Sequence, residues 1–313
     1  MPESASSSIS SLPNELILAI FCSLPSFSDV AYFAATCQLY HQLWTSQGFL
    51  IFKDVAPRTV PCRKLARALL ADQGGPTATT EHLEFQHVLQ LIRNARVVEL
   101  DVAHFSAHYM RKVKAFHLFH GPRRTALSST ERHRFIRGLY QTWGFYLVDR
   151  ATRRQRVYAL KLKHLVNICE LLGLYPNQLE DDSTMCAILA DKHDIYTEVL
   201  EDCFLRLREL VRDIHDDELY HWTLTESEGL NGRFSLWDGY QEVLKEMVLF
   251  GANQDRKRKW PPFPHPECVW DDTSDDERAE GVEPGNSRPT SSRCGSKGCC
   301  EFNPEDLELD SRE

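Results

Sequence analysis

The stretch from residue 12 to residue 44, LPNELILAIFCSLPSFSDVAYFAATCQLYHQLW, constrains this chain most, because it is apolar on nearly every helical face. Leu12, Leu16, Ile20 and Leu24 recur at four-residue spacing, with Ile17 and Phe21 beside them. That stripe is wider than one buried face needs. Pro13 suits a first helical turn, where its missing N–H is no loss. Pro25, Ser26 and Ser28 break the chain. Asp29 opens a second short helix carrying Val30, Phe33 and Ala34. Cys37, Leu39, Tyr40, Leu43 and Trp44 follow at spacings that suit a third. Three short helices of this length cannot bury so much apolar surface by themselves. The surplus requires either a partner or the rest of the chain.

The ordered set Leu12-Pro13, Glu15-Leu16, Ile20-Phe21, Leu24-Pro25, Asp29-Val30 and Cys37 resembles the F-box family pattern, with its spacing kept throughout. One position departs: Tyr40 stands where the family often has Trp, which keeps an aromatic plug with less buried area. The resemblance covers residues 11–50 and implies a three-helix unit that packs on the helical C-terminal part of a Skp adaptor. Leu12, Pro13, Leu16, Ile20, Leu24, Pro25, Val30 and Tyr40 are the expected adaptor-binding positions. The family further implies a substrate-recognition subunit of a Skp–cullin–F-box ubiquitin ligase. The cullin is reached through the adaptor, an unknown protein substrate is held nearby, and ubiquitin transfer belongs to other subunits. Two alternatives stay open. One is an F-box scaffold working outside a ligase. The other is a nucleic-acid-binding module built on the basic segment 111–164.

That segment emerges from the charge pattern. The chain of 313 residues has a formal net charge of −9. Residues 266–313 hold 14 acids against 5 bases and so account for all of it. Residues 111–164 carry 14 Lys or Arg against 2 acids, and residues 165–250 carry 19 acids against 6 bases. Adjacent segments of opposite sign suggest mutual docking or separate faces for different partners. Arg123, Arg124, Arg132, Arg134, Arg137, Arg153 and Arg154 are the candidates for an anion or phospho-substrate site, since guanidinium pairs bidentately with phosphate. RNA is served by the same electrostatics, with Trp143 and Tyr146 for stacking. The competing reading is that this face docks on the chain's own acidic segment.

The remainder reads as mainly α: an N-terminal three-helix unit, a larger all-α region over 51–265, and an acidic tail over 266–313. The first ten residues and the tail have the composition of disordered segments. After Trp44, a link with Pro57 and Pro61 leads to a helix over 62–73, ended by Gly74, Gly75 and Pro76. Residues 81–95 read as a helix; residues 96–102, RVVELDV, fit strand or helix. Ser128 and Glu131 form a capping box, and the helix behind it carries Phe135, Leu139, Trp143 and Tyr146 as a stripe. Residues 127–143 are similar to a helix recurring in F-box proteins of filamentous fungi. A helix over 155–174 is expected to end at Gly173 and Pro176. Another, over 194–214, has Leu200, Phe204, Leu207 and Val211 as its core face. A last one spans 237–252. No period of 20–50 residues is visible, so leucine-rich, WD-type and kelch repeats are not expected.

The sequence offers no catalytic centre. It lacks a nucleophile elbow, a P-loop and a Gly-rich strand-to-helix turn, so neither enzymatic activity nor a cofactor is expected. His104 and His108, and His117 and His120, have helical spacings that zinc sites use, but no third ligand stands at a telling distance. Cys294, Cys299 and Cys300 likewise lack a fourth ligand nearby. The 10 cysteines are mostly scattered singly through apolar stretches, as free thiols are in a reducing compartment. The polar opening MPESASSSIS is no secretory signal, and no apolar run is long enough to span a membrane. A cytosolic or nuclear protein is therefore expected. Arg256-Lys257-Arg258-Lys259 suits either a nuclear-localisation signal or cations closing a helix, and Ser274 lies in an acidic kinase-like context.

Overall fold

The computed structural model describes residues 12–77, 80, 83–113, 126–178 and 193–210, which are helical almost throughout, with no strand among them. The last helix expected, the four-residue basic run and the acidic tail lie outside the described residues. Helix α1 (Asn14–Ser23) and helix α2 (Phe27–Ala35) both pack on helix α3 (Gln38–Thr59). Ser26 caps α2: its Oγ accepts from the Asp29 N–H at 3.1 Å and donates to Asp29 Oδ2 at 2.5 Å. Such caps satisfy donors that a helix start leaves orphaned. The other end of α1 is served from a distance. Arg58, in the last turn of α3, donates to the carbonyls of Cys22 at 2.6 Å and Leu24 at 2.9 Å.

Helix α3 is the first departure from expectation. The link anticipated after Trp44 is helical to Thr59, kinked at Gln47 (φ −114°, ψ 17°) and passing through Pro57. Ile51, Phe52, Val55 and Ala56 recur at helical spacing and are buried. Their burial outweighs Pro57, which removes one hydrogen bond close to the helix end. The helix therefore crosses residue 50, the edge expected for the N-terminal unit, without a break. Its second half packs on helix α5 (Phe85–Val113). A Cβ at Gly48 would sit 2.6 Å from Phe85 Cδ2, so only glycine allows this approach.

Helix α4 (Arg63–Asp72) starts at Cys62, which takes the left-handed conformation at φ 52°. It ends as expected at Gly74, φ +88°. Residues 96–102 belong to α5, not to a strand. Val88, Leu91, Ala95, Val98, Val102 and Phe105 form one buried stripe at three- and four-residue steps, a helical period that carries through the β-branched run. Asn94, also buried, bonds Gln73 Oε1 at 2.8 Å and Gln90 Nε2 at 3.0 Å, tying α5 to the end of α4.

Helix α6 (Ser129–Phe145) carries the capping box in full: Glu131 N–H donates to Ser128 Oγ at 3.1 Å, and Ser128 N–H to Glu131 Oε2 at 2.7 Å. Phe135, Leu139, Trp143 and Tyr146 are all buried, as the stripe required. The helix expected over 155–174 is two. Helix α7 (Arg150–Tyr158) begins at Asp149, which accepts from the N–H groups of Ala151 at 2.9 Å and Thr152 at 3.0 Å. Helix α8 (Leu162–Gln178) then runs through Gly173 and Pro176 rather than ending there. Glycine costs a helix only about 1 kcal/mol, and Pro176 stands close to the end, where one lost bond is tolerable. Every residue from Leu162 to Leu172 is buried, Lys163, His164, Asn167 and Glu170 included. This central helix packs between α6 and helix α9 (His193–Leu210). The buried face of α9 is Val199, Cys203, Leu207 and Leu210, with Leu200 and Phe204 half-buried. The expected face is thus rotated by about one residue, and Val211 lies outside the described residues. Among the described residues no helix is long and apolar enough to cross a membrane.

Candidate functional site

The eight positions expected to meet an adaptor divide sharply. Val30 and Tyr40 are interior. Tyr40 stacks on Phe33 with ring centroids 4.6 Å apart, and Phe33 meets Phe21 edge-on at 4.8 Å. Phe27 stacks on Phe52 at 5.6 Å, and Trp44 meets Phe85 at 5.1 Å. Tyr40 therefore fastens α2 to α3 inside this unit, and Trp44 carries the aromatic chain on to α5. Aromatic pairs of this kind add about 0.5–1.5 kcal/mol each beyond their buried area.

The outer face of α1 is different. Leu16 is 52 % exposed, Pro13 and Pro25 are exposed, and Leu12, Ile20 and Leu24 are half-buried. Leu16 and Ile20 lie on one side of the helix, next to the face through which Ile17 and Phe21 enter the core, and Leu24 follows the helix end in extended backbone. Tyr32 on α2 is 75 % exposed; the sequence reading did not select it. The surplus apolar surface of the N-terminal stretch is thus taken up partly by α5 and partly left facing solvent.

The basic segment meets the acidic one. Arg153, on α7, is buried and paired with Glu198 of α9; Arg150 stands 3.8 Å from the same carboxylate. Arg154 lies 3.9 Å from the buried Asp202, and its guanidinium and that of Arg206 each lie 5.4 Å from the Tyr158 ring centroid. Arg156 grips Asp72 of α4 bidentately at 2.6 and 2.7 Å. Arg132 pairs with Glu99 of α5. Arg137 is buried, its Nη1 3.3 Å from His164 Nδ1. Guanidinium has only donors, so that ring nitrogen carries the lone pair. Arg137 and Arg153 are therefore withdrawn from any surface anion site, because both are interior. Arg132 is paired with Glu99, whereas Arg154, 58 % exposed, only approaches Asp202 at 3.9 Å. Arg134 is half-buried, and Arg123 and Arg124 lie outside the described residues. Spacing held the signal: Glu198 and Asp202, four apart, face Arg150, Arg153 and Arg154 at three- and four-residue steps.

Among the described residues no three His, Cys, Asp or Glu stand close enough to hold a metal ion. His104 lies half-buried on α5; the side chain of His108, all of His117 and His120, and the tail cysteines lie outside the described residues. Cys22, Cys37, Cys62, Cys169 and Cys203 are free thiols. Burial first, and then a hydrogen bond to Asp54, pushes the Cys22 thiol up to about 12. Burial first, then coulombic repulsion from its neighbours, likewise raises the phenol of Tyr140, and burial that of Tyr146. Hydrogen bonds from Thr152 first hold the Asp149 carboxyl below its usual range. These shifts follow from burial and capping, and none assembles a nucleophile with a base. Comparison with protein-family models, with curated proteins and with solved structures finds no match.

Proposed function

We propose that this chain is the substrate-recognition subunit of a Skp–cullin–F-box ubiquitin ligase, acting in the cytosol or nucleus. The first three helices dock on a Skp adaptor, the later helices hold a protein substrate, and ubiquitin transfer takes place on other subunits. The observation that carries this reading is the outer face of α1. Leu16 stands 52 % exposed, one turn before the half-buried Ile20, at positions where the family motif meets its adaptor. The internal aromatic packing of α1–α3 supports it, because a pre-ordered helix trio spends little ordering entropy on binding. The nucleic-acid alternative loses much of its electrostatic basis to the intramolecular ion pairs.

The experiment is a pull-down of purified Skp adaptor by the full chain and by its Leu16→Asp variant. Leu16 already faces solvent, so the variant keeps its helical circular dichroism and its melting temperature. Burying a leucine side chain contributes about 1.5–3 kcal/mol, so adaptor affinity falls about ten- to hundredfold. Undiminished binding by a folded Leu16→Asp chain would remove the proposal. Recovery of the adaptor without a cullin from a native extract would move the reading to a scaffold outside a ligase.

A further inference from the structure

Helices α8 and α9 meet through two cysteines. Cys169 stands in mid-α8 with Leu165, Ile168 and Leu172 at three- and four-residue steps, and all four are fully buried. Cys203 lies on the core face of α9 between Val199 and Leu207 and is fully buried too. The two thiols face each other within hydrogen-bonding reach, across the contact between the two helices. Burial in an apolar layer keeps such thiols inert as nucleophiles toward a substrate. Zinc takes four ligands, and among the described residues no three His, Cys, Asp or Glu are grouped to hold a metal. The chemistry open to two facing thiols is to pair with one another.

We propose that Cys169 and Cys203 are an oxidation site, at which a hydroperoxide converts the pair to a disulfide that staples α9 to α8. One sulfur, as thiolate, attacks the peroxide O–O bond and becomes a sulfenic acid, and the displaced oxygen leaves as water. The second thiolate attacks that sulfur, the S–S bond forms, and the sulfenic oxygen departs as water. Two thiols and one hydrogen peroxide thus become one disulfide and two waters. The hydrogen bond between the thiols, and then burial, hold Cys169 well above the ordinary thiol range, so the first step waits on an opening of α9 from α8. Once formed, the bond prevents that opening. It closes a loop of about 35 residues, long enough to constrain the unfolded chain. Glu198 and Asp202, which face Arg153 and Arg154 of α7, also lie on α9, so the staple fixes their docking as well. In a reducing cytosol or nucleus the pair rests as thiols, where disulfides of this kind are transient and redox-sensing. The inference does not rest on the adaptor reading.

The test is peptide mass mapping of the full chain after exposure to hydrogen peroxide, with the remaining thiols alkylated in denaturant. A peptide pair joined through Cys169 and Cys203 is expected, forming at a rate independent of protein concentration and faster in sub-denaturing urea. Oxidation raises the melting temperature by about 5–15 °C, and dithiothreitol reverses the rise. Cys203→Ala, shown to be folded by its helical circular dichroism, gains no such rise under the same treatment, which excludes the tail cysteines as its cause. Alkylation of both cysteines after peroxide, a bond from either to another cysteine, a concentration-dependent rate, or a rise that Cys203→Ala shares overturns the proposal. Leu16→Asp forms the link at the rate of the unaltered chain, so this site and the adaptor face fail separately.

Discussion

The pairing of α7 with α9 makes an asymmetric prediction about its two partners. Arg153 is 3 % exposed in its side chain, whereas Glu198 is 36 % exposed. Removing Glu198 leaves a guanidinium buried, with the Phe145 carbonyl at 3.5 Å and no acceptor for its Nε among the described residues. A buried charge stripped of its partner costs about 3–5 kcal/mol. The exposed third of Glu198 lets water reach the arginine, which places the loss near the lower end, about 3 kcal/mol. Removing Arg153 instead leaves a carboxylate that water already reaches and that keeps Arg150 at 3.8 Å. That loss is about 1 kcal/mol. Urea unfolding of Glu198→Ala, Arg153→Met and the double variant measures both costs and their coupling. For a folded region of this size, 1 kcal/mol shifts the melting temperature about 2–4 °C, so Glu198→Ala melts about 6–12 °C low and Arg153→Met about 2–4 °C low. The double variant sits close to Arg153→Met, because methionine leaves no buried charge to strand. Equal single costs, or additive ones, refute the claim that the two charged segments dock through this pair.

Two further predictions concern packing and titration. A Cβ at Gly138 would meet Leu171 Cδ1 at 2.3 Å where α6 crosses α8, and Leu171 is fully buried; Gly138→Ala therefore costs about 1–3 kcal/mol of overpacking. Set against about 1 kcal/mol of gained helix propensity, the net result is a lower urea midpoint, and a raised midpoint would show that the α6–α8 contact yields freely. The Cys22 thiol, pushed up to about 12 from its ordinary 9.0, stays protonated in the folded chain while an unfolded chain ionises. Stability contributed there is full below pH 9 and is lost as pH rises toward 12. Carboxymethylation at mildly alkaline pH, followed by mass spectrometry, labels Cys22 more slowly in the folded chain than in urea, and equal rates refute the shift.

Local signals were legible wherever the neighbours of a residue in sequence decide its conformation. Ser128 and Glu131 predicted their own cap, Gly74 its own turn, and the stripe of Phe135, Leu139, Trp143 and Tyr146 its own burial. What escaped sequence reading was decided across space. Pro57 reads as a breaker, but Ile51, Phe52 and Val55 have a core waiting in α5, and one lost bond is outweighed. The run 96–102 is rich in β-branched residues and lacks a local arbiter; only continuation of the stripe from Val88 to Phe105 settles it as helix. Asp149 marks the start of α7 by ordinary capping chemistry and was legible, yet the expected helix was begun at residue 155. The face of α9 is turned by one position because Asp202 and Cys203 are interior, which a hydropathy pattern cannot anticipate for an aspartate.

The same distinction bears on where function can reside. Four of the seven arginines put forward as an anion site are used within the fold: Arg137 is buried, and Arg132, Arg153 and Arg154 each face an acid on another helix, as Arg156 does beside them. Such pairs join α5, α6, α7, α9 and α4 at their polar edges, while α8 fills the centre. A net count of +12 over 111–164 therefore overstates the charge available to a partner. Reach matters more than composition here: a charge serves recognition only when the fold has not already neutralised it. On that criterion the face of α1 that leaves Leu16 exposed, which owes nothing to charge, is a surface the fold has not used up.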